Sequence, residues 1–247
     1  MKIKFLNKAI LIKIGKKRIF VLGDLHIGYE ESLNKKGVLV PRQQFKQMAT
    51  ELKNIFLEIG KVDEIVILGD LKHEFGEISQ QEWHETLAIL DSFEKNLGKN
   101  GKIVLVKGNH DTVLEPIAKR KKIEIKEFYV LDGICFLHGS RIFPEALDKK
   151  IKMLVLGHRH PAVTLSNKYK KEKYKCFLIG KWKRKRIIIL PSFLPLIMGS
   201  DVINTGGNRM FISERDLKKF FEVQVVNENG EIYDFGKLKK LGKSLDS

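Results

Sequence analysis

Seven residues could together do metal chemistry: Asp24, His26, Asp70, Asn109, His138, His158 and His160. They fall in five short runs: Gly23-Asp24-Leu25-His26, Gly69-Asp70-Leu71-Lys72-His73, Gly108-Asn109-His110-Asp111, His138-Gly139 and Gly157-His158-Arg159-His160. A donor set of carboxylate, amide oxygen and imidazole without thiolate suits divalent ions of intermediate hardness, such as manganese, iron, cobalt or zinc. It is too rich in nitrogen for a dedicated calcium or magnesium site. Seven ligands serve two ions if one carboxylate bridges them, and two ions ~3.5–4 Å apart are a recurrent solution for in-line attack at phosphorus. Each run alone is a weak signal. Satisfied turn and core residues would have to explain the whole ordered set at once.

The segments before these runs show what must position them. Ala9–Ile14 and residues 18–22 read as two strands around a basic turn, the second ending at Gly23-Asp24. Between 42 and 59, Phe45, Met48, Ala49, Leu52, Ile55, Phe56 and Ile59 recur at spacings of three and four, an amphipathic helix with Pro41 tolerated at its first turn. Residues 64–68 form a β-branched run ending in Gly69-Asp70. Ser79 and Glu82 then make a capping box, with Trp83, Leu87, Leu90 and Leu97 continuing a helix face. The apolar runs 103–106, Ile134–Leu137 and Met153–Leu156 end in the other three polar clusters. Alternating strands and helices predict a layered α/β fold, in which ligands bind beyond the carboxyl ends of strands. Five such ends therefore predict one shared site. The C-terminal third reads as hairpins: 174–179 with 186–190 around a turn at 180–185, and Phe221–Val226 with 231–235.

The chain has 247 residues, two cysteines, and 46 Lys+Arg against 30 Asp+Glu, a formal charge of +16. That composition excludes disorder and a disulfide scaffold, since Cys135 and Cys176 can make one bridge at most. Lys8 and Lys13 interrupt any leader core, and no segment approaches the ~18 apolar residues of a membrane helix, so a cytoplasmic protein is expected. A pI near 9.7 favours polyanionic partners such as nucleic acid, unless the lysines only solvate the surface. One domain over 1–247 is expected, with a motif core at 18–160, a basic hairpin and strands at 168–236 and a short tail at 237–247.

The order GDLH, GDLKH, GNHD, HG and GHRH resembles the calcineurin-like metallophosphoesterase superfamily. Within it the sequence looks most like archaeal phosphoesterases related to the SbcD nuclease subunit, with similarity also to bacterial ligase-associated phosphoesterases. The resemblance covers residues 23–160 and weakens beyond. It implies a four-layer αββα sandwich and two divalent ions, manganese foremost, with iron, cobalt, nickel or zinc as alternatives. The first ion would be held by Asp24, His26, Asp70 and His160, and the second by Asp70, Asn109, His138 and His158. A hydroxide on those ions would then attack phosphorus in line, and His110 would protonate or stabilise the leaving oxygen. Where many phosphatases of the superfamily place Asp, this chain has His73, as in the GD-x-x-H form of SbcD-type nucleases. His73 is expected to assist His110 or to contact substrate, which favours diesters over monoesters. An ATPase or helicase partner is also implied by the resemblance.

Four further features stand apart from the ligand set, three of them with two readings. Arg159 could grip a substrate phosphate or point away from the ions. Asp111 could orient His110 or cap the following turn. His84 reads as solvent-facing. Residues 168–186 hold ten Lys or Arg with Tyr169, Tyr174, Phe177 and Trp182 interleaved, either a surface for tracking and stacking a nucleic acid or a charged edge against aggregation. The expected function is a phosphodiesterase acting on nucleic acid. The alternatives are a diesterase for a small molecule such as a cyclic nucleotide, and a metal-bearing adaptor without activity. Loops at 37–41 and 200–208 are expected to rim the site.

Overall fold

In the computed structural model, which describes residues 1–166, 170–203 and 210–244, the apolar runs form strands covered on both faces. Strands β1 (Lys2–Leu6), β2 (Ala9–Ile14) and β3 (Lys17–Leu22) make an antiparallel meander. Helices α1 (Tyr29–Lys35) and α2 (Gln44–Ile59) then cross to β4 (Val62–Ile67), α3 (Gln80–Lys95) crosses to β5 (Leu97–Val106), and α4 (Glu115–Lys121) to β6 (Glu124–Lys126). These three crossovers pair the strands in parallel, so the first sheet runs β1 to β6 in chain order.

The second sheet holds β7 (Tyr129–Leu131), β8 (Ile134–Leu137), β9 (Met153–Leu156), β10 (Pro161–Ser166), β11 (Lys171–Trp182), β12 (Lys185–Ile189), β13 (Ser200–Asp201), β14 (Phe221–Val226) and β15 (Ile232–Lys237). Its order is β13-β10-β11-β12-β9-β8-β7, with β14 on β11 and β15 on β14. Helices α5 (Glu214–Phe220) and α6 (Leu238–Ser244) complete the described chain.

Three apolar clusters separate four layers. Met48, Leu52 and Phe56 of α2 and Leu90 and Phe93 of α3 pack on Phe20, Leu22, Ile65 and Ile67 of the first sheet. Ile19, Val21, Val66 and Val104 on its other face meet Phe136, Val155, Phe177 and Ile188 of the second sheet. The outer face of that sheet, with Leu154, Leu178 and Ile187, is covered by Leu217 of α5 and Leu238 of α6. Strands buried on both faces have no polar alternation, which explains their uninterrupted apolar runs. The four-layer αββα sandwich is the observed architecture.

Local differences from the sequence reading have identifiable causes. Helix α2 starts at Gln44, leaving Pro41 outside, because the Glu30 carboxylate of α1 accepts the backbone N–H groups of Gln43 and Gln44 at 3.1 and 3.2 Å. That cap comes from another element and leaves no local signal. The capping box of α3 forms as expected, with Ser79 and Glu82 bonded reciprocally. The hairpin turn is tighter than 180–185, since Lys183 and Arg184 alone carry it with φ of 45° and 65°. The tail from 237 forms β15's end and α6. Cys135 and Cys176 are both free and buried. Among the described residues, no helix is long and apolar enough to cross a membrane.

Candidate metal centre

Each ligand candidate sits just past the carboxyl end of a parallel strand: Asp24 and His26 after β3, Asp70 after β4, Asn109 after β5, His138 after β8, and His158 and His160 after β9. Here the chain turns sharply to bring the side chains inward. Asp24, His26, Asp70, His158 and His160 have positive φ, between 45° and 66°, a region that non-glycine residues seldom occupy. Such strain persists only where surrounding bonds over-determine it. Asp24 N–H donates to Gly69 O at 3.0 Å, His26 N–H to Asp70 O at 2.9 Å, and His158 N–H to the Asp24 carboxylate at 2.9 Å. Gly108 is required by contact: a Cβ there would lie 2.2 Å from Asp70 Oδ1 and 2.3 Å from Asp70 N. Ser192 Oγ and Leu194 N–H hold the Asp24 carbonyl from behind, and buried Lys175 donates to the carbonyls of Ser192 and Leu194.

The inward groups form two donor clusters that contain a carboxylate, and His26, His73 and His110 make a third, all-histidine group beside them. In one, Asp24, His26 and His160 converge, with His26 Nε2 3.4 Å from His160 Nε2 and His160 Nε2 3.3 Å from Asp24 Oδ1. In the other, Asp70, His138 and His158 converge, and His138 Nε2 lies 2.9 Å from Asn109 Oδ1 and 3.0 Å from His158 Nδ1. Asp70 Oδ2 lies 3.6 Å from His26 Nε2 and 3.5 Å from His138 Nε2, so one carboxylate oxygen faces both clusters. His138 Nδ1–H donates to Leu68 O at 2.8 Å, which turns the lone pair of Nε2 into the site.

The donor chemistry fits divalent cations. Donors about 2.0–2.2 Å from a common ion are held roughly this far apart from one another. Buried Asp24 Oδ1 has no hydrogen-bond partner among the described residues. Burial raises the Asp70 carboxyl, the charges of Asp24 and Asp111 raise it further, and together they push it up to about 8. Burial acts on Asp24 in the same sense, but His160, His138 and His26 outweigh it and hold Asp24 below the usual carboxylate range. Burial and then His160 hold His26 well below the ordinary histidine value, keeping one ring nitrogen's lone pair for ligation. Buried carboxylates converging with imidazoles and an amide oxygen are the donor set that a divalent cation of intermediate hardness would bind.

Beside the clusters lie His73 and His110. The His110 ring N–H at Nδ1 donates to the His73 carbonyl, and its backbone N–H donates to Asp70 Oδ1 at 2.9 Å. The His73 ring stacks on His110 with centroids 5.1 Å apart and places Nδ1 3.4 Å from His26 Nδ1. Burial and the neighbouring His110 push His73 down to about 4. Burial also lowers His110.

Two residues that had two readings each in the sequence have definite places. Arg159, which could have gripped a substrate phosphate or pointed away from the ions, is fully buried with its guanidinium 2.7 Å from Glu214 of α5, the second of those arrangements. Its neighbours are the ligands, but the bend at His158 and His160 turns its side chain into the layer under α5. Asp111 neither orients His110 nor caps the next turn. Its buried carboxylate accepts the N–H groups of Asp70 at 2.7 Å, Gly108 at 2.9 Å and Leu71 at 3.0 Å, latching two ligand loops together. Glu82 was legible only as a helix cap, yet it also accepts the N–H groups of His73 and Glu74, at 3.2 and 2.9 Å. His84 is bonded to Gln80 O within its own helix, away from the ligands. Replacing Asp111 by alanine leaves three buried donors without an acceptor. Metal affinity is expected to fall about 10- to 100-fold, the scale for outer-shell partners, as read by calorimetric titration with Mn²⁺.

The basic hairpin divides in the same way. Phe177 is buried in the inter-sheet layer, and Lys175 and Lys185 are buried on backbone carbonyls, so none of the three faces a ligand. The register pairs Arg186 with Met153 at the start of β9, which puts the 183–184 turn at the end of the sheet away from the metal centre. Lys171 and Lys173 are exposed where β11 runs past the carboxyl end of β9. Lys168, Tyr169 and residues 204–208 of the expected rim loop lie outside the described residues.

A family model described as calcineurin-like phosphoesterase matches residues 17–226, which include all seven ligand candidates. The chain belongs to this family. Membership makes it a metal-dependent phosphoesterase by class. Among solved structures, a nuclease, MPE, from Pseudomonas putida is similar over 94% of this chain and 93% of its own, with 20% identity and a TM-score of 0.61. A protein of unknown function from Aquifex aeolicus aligns over 61% of this chain and 81% of its own at 18% identity and a TM-score of 0.39. Wild-type Vps29 with zinc from Entamoeba histolytica aligns over 88% of this chain and 99% of its own at 15% identity and 0.35. A search of curated protein sequences gave no match.

Proposed function

We propose that this phosphoesterase is a phosphodiesterase that works with two divalent ions, manganese foremost, and that nucleic acid is its substrate. The observation that carries the reading is Asp70 Oδ2, 3.6 and 3.5 Å from ring nitrogens of two separate donor clusters, the position of a bridging carboxylate. Asp24, His26 and His160 would hold one ion, Asn109, His138 and His158 the other, with Asp70 shared. Ions so held would supply the Lewis acidity that activates water and neutralises charge developing at phosphorus.

The chain's own groups do the rest. Asp111 fixes the Asp70 loop, and Leu68 O fixes the tautomer of His138. His110, with Nδ1 committed to the His73 carbonyl, directs Nε2 as the atom that holds or delivers a proton at the leaving oxygen. In the substrate-free site burial depresses His110; a phosphodiester anion beside it would raise it again. His73, where many phosphatases of the superfamily carry an acid, matches the GD-x-x-H run of SbcD-type nucleases, and that match supports a diester. The charge of +16, exposed Lys171 and Lys173 on the metal end, and the nuclease of similar fold support nucleic acid.

The test compares bis-p-nitrophenyl phosphate, p-nitrophenyl phosphate and a single-stranded oligonucleotide, each with Mn²⁺. Turnover of the diester over the monoester is expected, with oligonucleotide cleavage that weakens steeply as salt rises. Monoester turnover alone would overturn the diester reading. Diester turnover with an untouched oligonucleotide would replace nucleic acid by a small-molecule diester. Bound metal without any turnover would leave the adaptor.

A further inference from the structure

Phe75 is unusual for an apolar side chain beside a buried centre: it is 53% exposed. Its loop is nevertheless fixed. Glu82 accepts the N–H groups of His73 and Glu74, the His110 ring donates to the carbonyl of His73, and Thr112 Oγ1 donates to the carbonyl of Phe75. The Phe75 ring lies over the His110 ring, centroids 3.9 Å apart and planes inclined by 33°. An aromatic surface is thus held open to solvent directly beside the residue that serves the leaving oxygen.

Resting on the nucleic-acid reading above, we propose that Phe75 is the platform on which an unpaired nucleobase next to the scissile phosphate stacks. Two demands meet within this small region. The metal clusters recognise a phosphodiester anion, and the exposed ring rewards a flat aromatic group close to it; a nucleotide carries both. Base–aromatic stacking is indifferent to sequence, because every base has a π-face. A base inside a duplex is already stacked on its neighbours and paired, so only an unpaired nucleotide can offer a face at no unstacking penalty. The platform therefore assigns single strands, frayed ends or loops as the substrate class, with little preference among bases. The competing explanation is that Phe75 only shields His110 from water, as any apolar side chain of similar size would.

The two explanations separate on a short single-stranded oligonucleotide and a counterpart of the same length in which abasic sugars replace every nucleoside, cleaved with Mn²⁺ by wild type, Phe75→Ala, Phe75→Leu and Phe75→Trp. On the normal strand, Phe75→Ala and Phe75→Leu are expected to lower kcat/KM by about ten- to a hundredfold, and Phe75→Trp to retain it. On the abasic strand the penalty of Phe75→Ala is expected to shrink by about tenfold, because there is no base to lose. An equal penalty on both strands, or full activity in Phe75→Leu, would overturn the platform and leave a shield. Cleavage of duplex interiors as fast as single strands would overturn it as well. If wild type hydrolyses bis-p-nitrophenyl phosphate but neither strand, the nucleic-acid reading itself has failed, and the platform falls with it.

Discussion

Asp70→Asn is expected to lower Mn²⁺-dependent diester turnover by about 10³-fold, the scale of losing a preorganised electrostatic element, yet to leave the metal-free protein at least as stable as wild type. The carboxylate faces both donor clusters, and a neutral amide in its place removes the charge that two cations share. The fold has little reason to suffer. An asparagine Oδ1 can still accept the His110 backbone N–H that Asp70 Oδ1 accepts at 2.9 Å, and the loop's own N–H remains on Asp111. Without metal the buried Asp70 carboxyl is raised from 3.8 to about 8, burial first and the charges of Asp24 and Asp111 next. A carboxyl that keeps its proton longer in the folded than in the unfolded chain lowers stability as pH climbs through that interval. Asp70 should therefore lower the melting temperature of metal-free wild type as pH climbs from 4 to 8, against the gain that the depressed imidazoles of His26, His73 and His110 bring over the lower part of that interval. The asparagine variant should lack the Asp70 loss, so its melting temperature should gain on wild type as pH rises. Binding of a cation must displace the proton from Asp70, so wild-type metal affinity should rise with pH over the same interval. Melting scans with and without Mn²⁺ across this range read all three effects. A metal-free variant that melts well below wild type would mean that Asp70 holds the loops together rather than waiting for a cation.

The sequence made the strand ends legible because strands buried on both faces leave a simple trace: a short apolar run, then a polar cluster. The runs before Asp24, Asp70, Asn109, His138 and His158 needed no tertiary information to be seen. What remained hidden depends on residues meeting across the fold. The Glu30 cap on α2 spans 13 residues and comes from another helix, so Pro41 was the only local cue and it misplaced the boundary. Arg159 admitted a phosphate-ligand reading because its neighbours are metal ligands, and the sequence could not choose between that and a side chain turned away. Positive φ at 158 and 160 reverses the direction of the chain there, and the side chain between them goes to Glu214. Asp111 illustrates the same limit. Its sequence neighbour is His110, but its carboxylate serves Asp70 and Leu71, some 40 residues away. Within the basic hairpin, charge counting could not separate Lys175 and Lys185, spent on internal carbonyls, from Lys171 and Lys173, which face solvent. Residue types and spacing thus carried the donor set, whereas the groups that hold the donors in place became visible only with the fold.

His110→Ala is expected to lower kcat on an oligonucleotide by about 10²–10⁴-fold while metal content and melting temperature stay close to wild type. Its ring is held at one nitrogen only, Nδ1 on the carbonyl of His73, and groups with His73, His26 and Phe75, outside the two clusters that contain a carboxylate. Removing it should therefore spare the ions, which distinguishes this variant from Asp70→Asn. The size of the loss should follow the leaving group. An alkoxide leaving from a nucleic acid is a strong base and needs a proton or a hydrogen bond as it departs, whereas p-nitrophenolate is stable as an anion. The penalty on bis-p-nitrophenyl phosphate should accordingly be much smaller than the penalty on an oligonucleotide. Equal penalties on both would assign His110 to stabilising the phosphoryl oxygens instead of the leaving oxygen. Loss of metal together with activity would make it a ligand. A companion His73→Ala variant is expected to fall between: its backbone carbonyl still accepts the His110 ring N–H, but the stacked ring at 5.1 Å and the contact to His26 are gone. The loss there should appear in kcat with both substrates, because a loosened His26 disturbs the ions as well as the proton donor.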